Sequence, residues 1–412
     1  MSTSDELEHL LSQAPSASAF TKVIEVLDRW PEADLPSAIE RTAAALESWP
    51  DTDREAPEDA WLRIQKGEPS PPWWGLVRHV GVLENETLAV GAALEPLTSV
   101  DASNVPVDPS PLREAHRLRF LNLTGNEAVI SLDFLQGTLQ LERLNLSNLE
   151  LLPDIAPIGQ LSFLQILNLG FNPNLKDLSP LAPLASLRWI DLSADERITD
   201  FDPLAALTGL EILILNDCTP VQSLTFLLDL PRLRSLSALG LHQLSDLGPL
   251  STTGIETLRI GGHEITDGAP IGRMPALTEL SLQDLPALRD LSFLNKLEQL
   301  RSLDIVAYNG ILPVLALPVL ERALFANCPN IQDLSGLTGL GTLRALSLEG
   351  LPVSDLAPLS QLSHLTRLSL PYCRGIRDLA PLSRLPLRQI DLTGCDPDID
   401  ITQLPSDCQI IR

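Results

Sequence analysis

One short pattern, Leu-x-x-Leu-x-Leu, recurs along most of this chain at intervals of 20 to 23 residues. A fixed period of this length predicts a solenoid, because one copy cannot bury its apolar side alone and must stack on the next. In such a fold, the working residues are expected in rows across copies rather than in one short motif. The first apolar residues of successive copies are Leu118, Leu141, Leu164, Leu187, Leu210, Leu233, Ile255, Leu277, Leu300, Leu320, Leu343, Leu365 and Leu387.

Each copy predicts one short strand followed by a short return segment. In one copy, Ile190 should face inward while Trp189 and Asp191 face outward, because side chains alternate along a strand. Many copies continue with Asp-Leu-x-Pro-Leu, as in residues 177–181. The Asp can accept backbone N–H groups at the start of a helical turn, and proline is tolerated early in such a turn. The return segment is too short for a long helix.

Residues 164–184, LQILNLGFNPNLKDLSPLAPL, resemble the leucine-rich repeat family, and within it the internalin-like class of 22–23-residue repeats found in bacteria. The resemblance covers about three quarters of the chain. It implies an α/β solenoid, a leucine-rich repeat horseshoe with a parallel β-sheet on its concave face. It implies no single activity, because one fold serves many functions.

Four of the five cysteines occupy the same place in their copies, eight residues after the first apolar residue: Cys218, Cys328, Cys373 and Cys395. Asn126 and Asn172 take this place in other copies. The resemblance implies that these side chains bond backbone groups inside the corner and form a ladder. We therefore expect free thiols rather than disulfides, and the lack of any CxxC spacing argues against a metal site.

The charge of the chain narrows its partners and its location. A net charge of −25 argues against nucleic-acid binding, which needs a basic surface, and against anionic membranes. The charge either keeps a leucine-loaded chain soluble or favours a basic partner. No segment approaches the roughly 18 apolar residues of a membrane span, and the acidic start does not resemble a signal peptide. We therefore expect a cytoplasmic protein, and 25 Arg against 4 Lys indicate a GC-rich bacterial genome.

The segment before the repeats has a different composition, with five of the six tryptophans before residue 75. Caps and apolar faces predict helices at 4–12, 17–30, 36–49 and 57–66. Residues 1–75 form either a cap on the open end of the solenoid or a separate helical module. The cap is favoured, because Trp-rich helices need a surface to bury against.

The repeat boundaries predict three parts. Degenerate strands at 77–82 and 97–102 extend the solenoid back to residue 76, with clear repeats from residue 118. The solenoid is predicted over 76–395 and a C-terminal cap over 396–412. The copy from Leu300 to Leu320 is shortened to 20 residues, which indicates either tolerated drift or a hinge.

The sequence carries no recognised catalytic motif. It lacks a Walker A sequence, GxGxxG and HExxH. Residues 396–407 resemble a calcium loop but carry Ile401 where glycine is needed and Asp407 where glutamate is needed. The histidines are scattered, and none is expected beside a Ser or Cys nucleophile. We therefore predict no enzyme activity, no catalytic residue, no cofactor and no metal.

The outward strand positions predict where a partner binds. An apolar cluster edged by polar residues is typical of an interaction site, and Trp and Arg often dominate interface energies. The alternative is that the N-terminal helices or a loop cover this cluster. The predicted partner-binding residues are Phe120, Arg143, Ile166, Phe171, Trp189, Asp191, Ile212 and Ile214, and a weaker second group is Tyr308, Arg322, Arg367 and Tyr372.

Together these features predict a non-enzymatic scaffold that binds a partner protein on the concave face. One alternative is a signalling or sensor adaptor that uses the N-terminal helices for a second partner. The other is an effector or toxin-like enzyme, which would need a pocket with converging titratable groups.

Overall fold

In the computed structural model, each repeat forms one short strand followed by a turn-rich return segment. The structure describes residues 3–66, 68–82, 88, 91–152 and 154–412. The predicted segments 1–75 and 76–395 include a few residues outside these ranges. The chain divides into two compact units, a first unit Met1–Asp191 and a second unit Leu192–Arg412, and each is described by itself.

The first unit opens with the predicted helices: α1 Thr3–Leu11, α2 Ala17–Asp28, α3 Leu35–Ala45 and α4 Glu58–Gln65. Ser16 caps α2, because its Oγ accepts a hydrogen bond from the Ala19 backbone N at 3.2 Å. The predicted apolar face of α2, which includes Phe20 and Ile24, is fully buried. Helix α3 ends earlier than predicted, since Leu46–Ser48 continue as a 3-10 turn. None of the described helices is long and apolar enough to cross a membrane.

The strands of the first unit are parallel and pair in chain order: β1 His79–Gly81, β2 Ser99–Asp101, β3 Phe120–Asn122, β4 Arg143–Asn145, β5 Ile166–Asn168 and β6 Trp189–Asp191. Strands β1 and β2 confirm the degenerate strands predicted before residue 118. In β3, β5 and β6 the central residue is buried and both neighbours are half-buried, as the alternation predicts. The 3-10 segments are Leu46–Ser48, Asp51–Asp53, Pro72–Leu76, Gly91–Ala93, Ser110–Glu114, Asp133–Gly137, Ala156–Gln160 and Ser179–Leu181.

The helical segment covers the outer edge of β1. The Ala56 backbone N donates to His79 O, and Arg78 N donates to Arg54 O, both at 2.9 Å, so the chain beside residue 55 pairs with β1 in parallel. Trp61 stacks on Trp74 with ring centroids 6.0 Å apart. The indole of Trp74 also donates to Ala93 O at 2.8 Å. Backbone pairing and buried indoles therefore join the helices to the first coils of the sheet.

The strands of the second unit are also parallel: β7 Ile212–Ile214, β8 Ser235–Ala238, β9 Thr257–Ile260, β10 Glu279–Gln283, β11 Ser302–Val306, β12 Arg322–Ala326, β13 Ala345–Glu349, β14 Arg367–Ser369, β15 Gln389–Asp391 and β16 Gln409–Ile411. The predicted C-terminal cap thus supplies a strand, β16, that the sequence analysis did not anticipate. The 3-10 segments are Asp202–Ala206, Thr225–Asp229, Gly248–Thr252, Ile271–Arg273, Ser292–Lys296, Ser335–Leu337, Ala357–Gln361 and Ala380–Leu382.

The short copy keeps its strand pairing and shortens its return leg. Ser302 of β11 lies opposite Arg322 of β12, in the same register as the longer copies. No 3-10 segment lies between these two described strands. Instead, the side chain of Asn295 from the preceding copy holds the return leg. Its Nδ2 donates to Val314 O at 2.9 Å, and its Oδ1 accepts from Ala316 N at 2.7 Å. The short copy lies inside the second compact unit rather than at its boundary.

Asparagine and cysteine side chains form the ladder implied by the resemblance. In the first unit, Asn126 Nδ2 donates to Val107 O at 2.9 Å, and Asn172 Nδ2 donates to Leu146 O at 3.0 Å. In the second unit, the thiols donate to carbonyls of the preceding coil, as Cys373 Sγ does to Leu348 O at 2.9 Å. The other three thiols make similar contacts: Cys218, Cys328 and Cys395. Burial raises the pKa of Cys373 to about 11, so this thiol stays protonated near neutral pH.

The predicted aspartate turns are also present. Asp177 Oδ1 accepts the Ser179 backbone N at 2.8 Å, at the start of a 3-10 segment, and Asp378 Oδ1 accepts Ala380 N at the same distance. The hydrogen bonds from the Ser179 backbone and hydroxyl hold the pKa of Asp177 below its ordinary value. These aspartates therefore serve the turns of the return leg.

Candidate functional site

Strand register assembles four predicted residues of the first unit into one row. Phe120 lies opposite Arg143, Arg143 opposite Ile166, and Ile166 opposite Trp189. Neighbouring strands are about 4.8 Å apart, so the row spans roughly 14 Å. Arg143 is exposed, and the three apolar side chains are half-buried. We call these four residues the apolar row.

The N-terminal helices do not bury the apolar row. Their hydrogen bonds to the sheet run to β1 and its neighbourhood, for example from the Thr98 hydroxyl to Asp51 Oδ2 at 2.7 Å. Phe120, Ile166 and Trp189 each keep part of the side chain exposed. An apolar row with a central arginine is therefore open on this sheet face, which is a common composition for a protein-binding surface.

The second outward row of the first unit works inside the fold. Asn122, Asn145 and Asn168 each use Oδ1 to accept the backbone N–H two residues later, at 3.0 to 3.1 Å. Each bond closes the turn at the end of its strand. Asp191 continues this row from β6. The predicted contact role of Asp191 thus falls in a row whose other members serve the turns, and the sequence analysis did not recognise that role.

Phe171 lies beyond the strand, in the turn after β5. Its φ of 64° is left-handed, and its side chain is 57% exposed. The same position holds Gly125 and Asn148 in the two preceding copies, also with positive φ. Glycine and asparagine tolerate this backbone, whereas a bulky side chain strains it. An exposed aromatic residue therefore occupies a position where the local backbone favours other residues.

The remaining residues of the predicted main site belong to the second unit. Ile212 and Ile214 face outward from β7 and are half-buried. Their neighbours on β8 are Ser235 and Ser237. The outward face of this unit therefore changes from apolar to small and polar within one strand.

Tyr308 requires a correction within the second predicted group. Its side chain is only 2% exposed, and its hydroxyl donates to Arg289 O at 2.8 Å. Burial raises the pKa of Tyr308 to about 12. The residue lies eight positions after Leu300, the place that Cys328 takes in the next copy. Tyr308 therefore fills the corner of the short copy and is not available as a surface contact.

Arg322 and Arg367 lie in one row on the sheet, whereas Tyr372 lies in the turn after β14. Arg322 of β12 is opposite Ala345 of β13, which is opposite Arg367 of β14. Both arginines are exposed, and only the methyl group of Ala345 separates them. Tyr372 is a second exposed aromatic residue in a left-handed turn, with φ of 60°.

The two arginines border a depression of about 480 Å³, which we call the arginine notch. Its floor is made of small and apolar side chains, including Leu324 and Ser347. Arg322 Nη2 lies 3.5 Å from Glu279 Oε1. Burial raises the pKa of the Asp304 carboxyl, against the opposite pull of Arg259 and Arg322. The full lining is Ser302, Asp304, Arg322, Ala323, Leu324, Ala345, Leu346, Ser347, Arg367, Leu368, Ser369, Gln389 and Asp391.

Two histidines among the described residues lie beside a serine, which corrects the sequence analysis: His79 beside Ser99, and His364, whose Nδ1 is 3.3 Å from the Ser363 hydroxyl. The Nδ1 of His364 also lies 2.8 Å from Gly341 O, so it acts as the donor to that carbonyl and not as a base for the serine. His79 Nδ1 and Ser99 Oγ are 2.7 Å apart, and burial lowers the pKa of His79. Ser99 is only 3% exposed, so a substrate has no access to its hydroxyl. The contact between His79 and Ser99 could not be predicted from the sequence, because neither residue lies in a clear copy of the repeat. The pair is a partly buried polar contact between β1 and β2 and not a nucleophile with its base.

The described residues offer no assembled metal site. They contain no group of three or more His, Cys, Asp or Glu side chains that could hold a metal ion. Asp396, in the segment that resembles a calcium loop, lies 2.9 Å from Arg377 and accepts the Asp398 backbone N. The acidic side chain at the start of that segment thus serves a turn and an ion pair.

Comparison with known proteins supports the fold. No family model and no curated protein matches the sequence. A solved internalin of Listeria monocytogenes is 26% identical, with a TM-score of 0.57, covering 72% of this chain and 87% of its own. A leucine-rich repeat protein of Leptospira interrogans is 20% identical, with a TM-score of 0.56, covering 86% of this chain and 96% of its own. Both likenesses are to bacterial leucine-rich repeat proteins.

Proposed function

Because the chain has the leucine-rich repeat fold of bacterial internalin-like proteins, we propose that it is a protein-interaction scaffold and that the apolar row holds the partner. The observation that carries the proposal is the strand register, which aligns Phe120, Ile166 and Trp189 around Arg143 on an open sheet face. Partly exposed aromatic and arginine side chains on a rigid surface are typical anchors of an interface.

The charge of the chain supports a partner with a basic surface. A net charge of −25 attracts such a partner before contact and raises the rate of encounter, most strongly at low ionic strength. The apolar row then supplies the short-range contact. We propose no enzyme activity, because neither serine beside a histidine is set up as a nucleophile. Ser99 is inaccessible, and the His364 nitrogen beside Ser363 donates to Gly341 O.

We propose that the N-terminal helices act as a cap rather than as a second binding module. Their tryptophans are turned toward the chain itself, as the Trp61–Trp74 stack illustrates. Residues beside Glu55 continue the sheet beyond β1.

A cytoplasmic location stays a prediction, which microscopy of a tagged chain in its source organism would test.

Substitution of Trp189 tests the proposed function. We expect Trp189→Ala to weaken partner binding by about 30-fold or more, as for an interface anchor, with little change in unfolding temperature. The partner is first captured from source cells with the full chain and then purified, and its dissociation constant is measured for each variant.

Phe163→Ala is the matched control, because Phe163 is an exposed aromatic residue outside the apolar row. It should leave binding unchanged. Equal affinity of the wild-type chain and Trp189→Ala for the purified partner would remove the apolar row from the proposal.

A further inference from the structure

Most charges around the arginine notch are balanced by neighbours. Arg322 pairs with Glu279 at 3.5 Å. Asp304 lies within electrostatic reach of Arg259 and Arg322. Two arginines and two carboxylates therefore compensate one another on β9 to β12.

Asp391, on the other side of the notch, is also occupied. Its Oδ1 accepts the Thr393 backbone N at 2.9 Å and the Thr393 hydroxyl at 2.6 Å, and its Oδ2 lies 3.4 Å from the Ser369 hydroxyl. Arg367 has no carboxylate within ion-pair distance among the described residues. In a chain of net charge −25, this exposed cation has no ion-pair partner in the part of the chain that the structure describes.

We propose that the arginine notch holds the side chain of an aspartate or glutamate of the partner protein. Arg367 and Arg322 lie in one row on either side of Ala345, with their backbones two strand spacings or roughly 10 Å apart. The small alanine leaves the space between their guanidinium groups open. A planar guanidinium binds a carboxylate through two parallel N–H donors, and the Ser347 hydroxyl on the floor adds a further donor.

This inference rests on the proposed function, because it names the chemistry of one partner contact. An acidic anchor residue is compatible with the net negative charge of the chain, because the two effects act at different distances. The long-range field is screened within about 8 Å at physiological ionic strength, whereas the notch acts at hydrogen-bond distance. A partner with a basic surface and one acidic anchor residue therefore satisfies both features.

The test uses the full chain labelled with ¹⁵N at arginine and observes the guanidinium Nε–H signals by NMR at constant ionic strength. The probes are N-acetyl-glutamate N-methylamide, its glutamine counterpart and inorganic phosphate. We expect the glutamate probe to shift the Arg367 and Arg322 signals saturably, and the glutamine probe to leave them in place. Arg367→Gln should weaken this binding at least tenfold.

Arg388→Gln is the matched control, because Arg388 is an exposed arginine immediately before β15 and does not line the notch. It should bind the glutamate probe as the wild-type chain does. Absence of a saturable shift, equal shifts at Arg388, or a response to phosphate alone would overturn the proposal. These results are separate from the proposed function, because loss of partner binding on Trp189→Ala does not depend on Arg367.

Discussion

The two units build the same coil but differ on both sides of the strand. On the outward side, the first unit carries the apolar row, whereas the second carries serines and the arginine notch. At the inner corner, the first unit uses asparagines such as Asn172, and the second uses thiols such as Cys373. The coil therefore constrains backbone and core, while the corner and the outward face vary independently.

The largest predicted difference concerns the N-terminal helices, which belong to the first unit and pack on its first coils. Trp74→Ala should destabilise that unit by about 3–5 kcal/mol, because it removes a buried indole and its stack on Trp61. Hydrogen exchange should show faster exchange in β1 to β3 and little change in β13 to β15. Trp189→Ala is the control, since a half-buried indole should cost roughly 1 kcal/mol or less. Equal loss of protection in both sets of strands would show that the helices stabilise the whole chain as one cooperative body.

Much of this architecture could be predicted from the sequence, because the repeat fixes the place of each residue in its coil. Counting eight residues from Leu300 would also have placed Tyr308 in the corner, so that signal was present but overlooked. The turn role of Asn122 could also have been predicted, because a small residue, Thr124, follows two positions later. In the structure, the backbone N–H and the hydroxyl of Thr124 both donate to Asn122 Oδ1.

Other features depend on contacts that spacing does not encode. The pairing of His79 with Ser99 arises where the leucine pattern is degraded, so register could not be counted. The proposed role of the arginine notch depends on which of its arginines already has a carboxylate partner. That distinction between Arg322 and Arg367 follows from side-chain geometry and not from their equivalent places in the repeat.

A smaller predicted difference separates the two kinds of corner. Asn172 bonds three backbone groups, the carbonyls of Leu146 and Leu169 and the N–H of Leu149. Asn172→Ala should therefore lower the free energy of unfolding by about 2–3 kcal/mol, because buried polar groups lose their partners. Cys373→Ala should cost about 1 kcal/mol, since a thiol is a weak donor and mostly fills space. Urea denaturation of both variants measures the contrast, and equal costs would mean that amide and thiol corners are energetically equivalent.

The smallest predicted effect has the opposite sign and concerns Phe171. Its left-handed backbone strains an aromatic residue by about 1–2 kcal/mol, and its side chain is largely exposed, so the fold recovers little through burial. Phe171→Asn should stabilise the first unit by about 1 kcal/mol while weakening partner binding, measured by urea denaturation and by affinity for the purified partner. Asn148→Phe, the reverse change at the equivalent turn, should destabilise by a similar amount. If Phe171→Asn instead lowers stability, contacts with its own coil outweigh the strain, and the aromatic side chain belongs to the structure of the turn rather than to the binding surface.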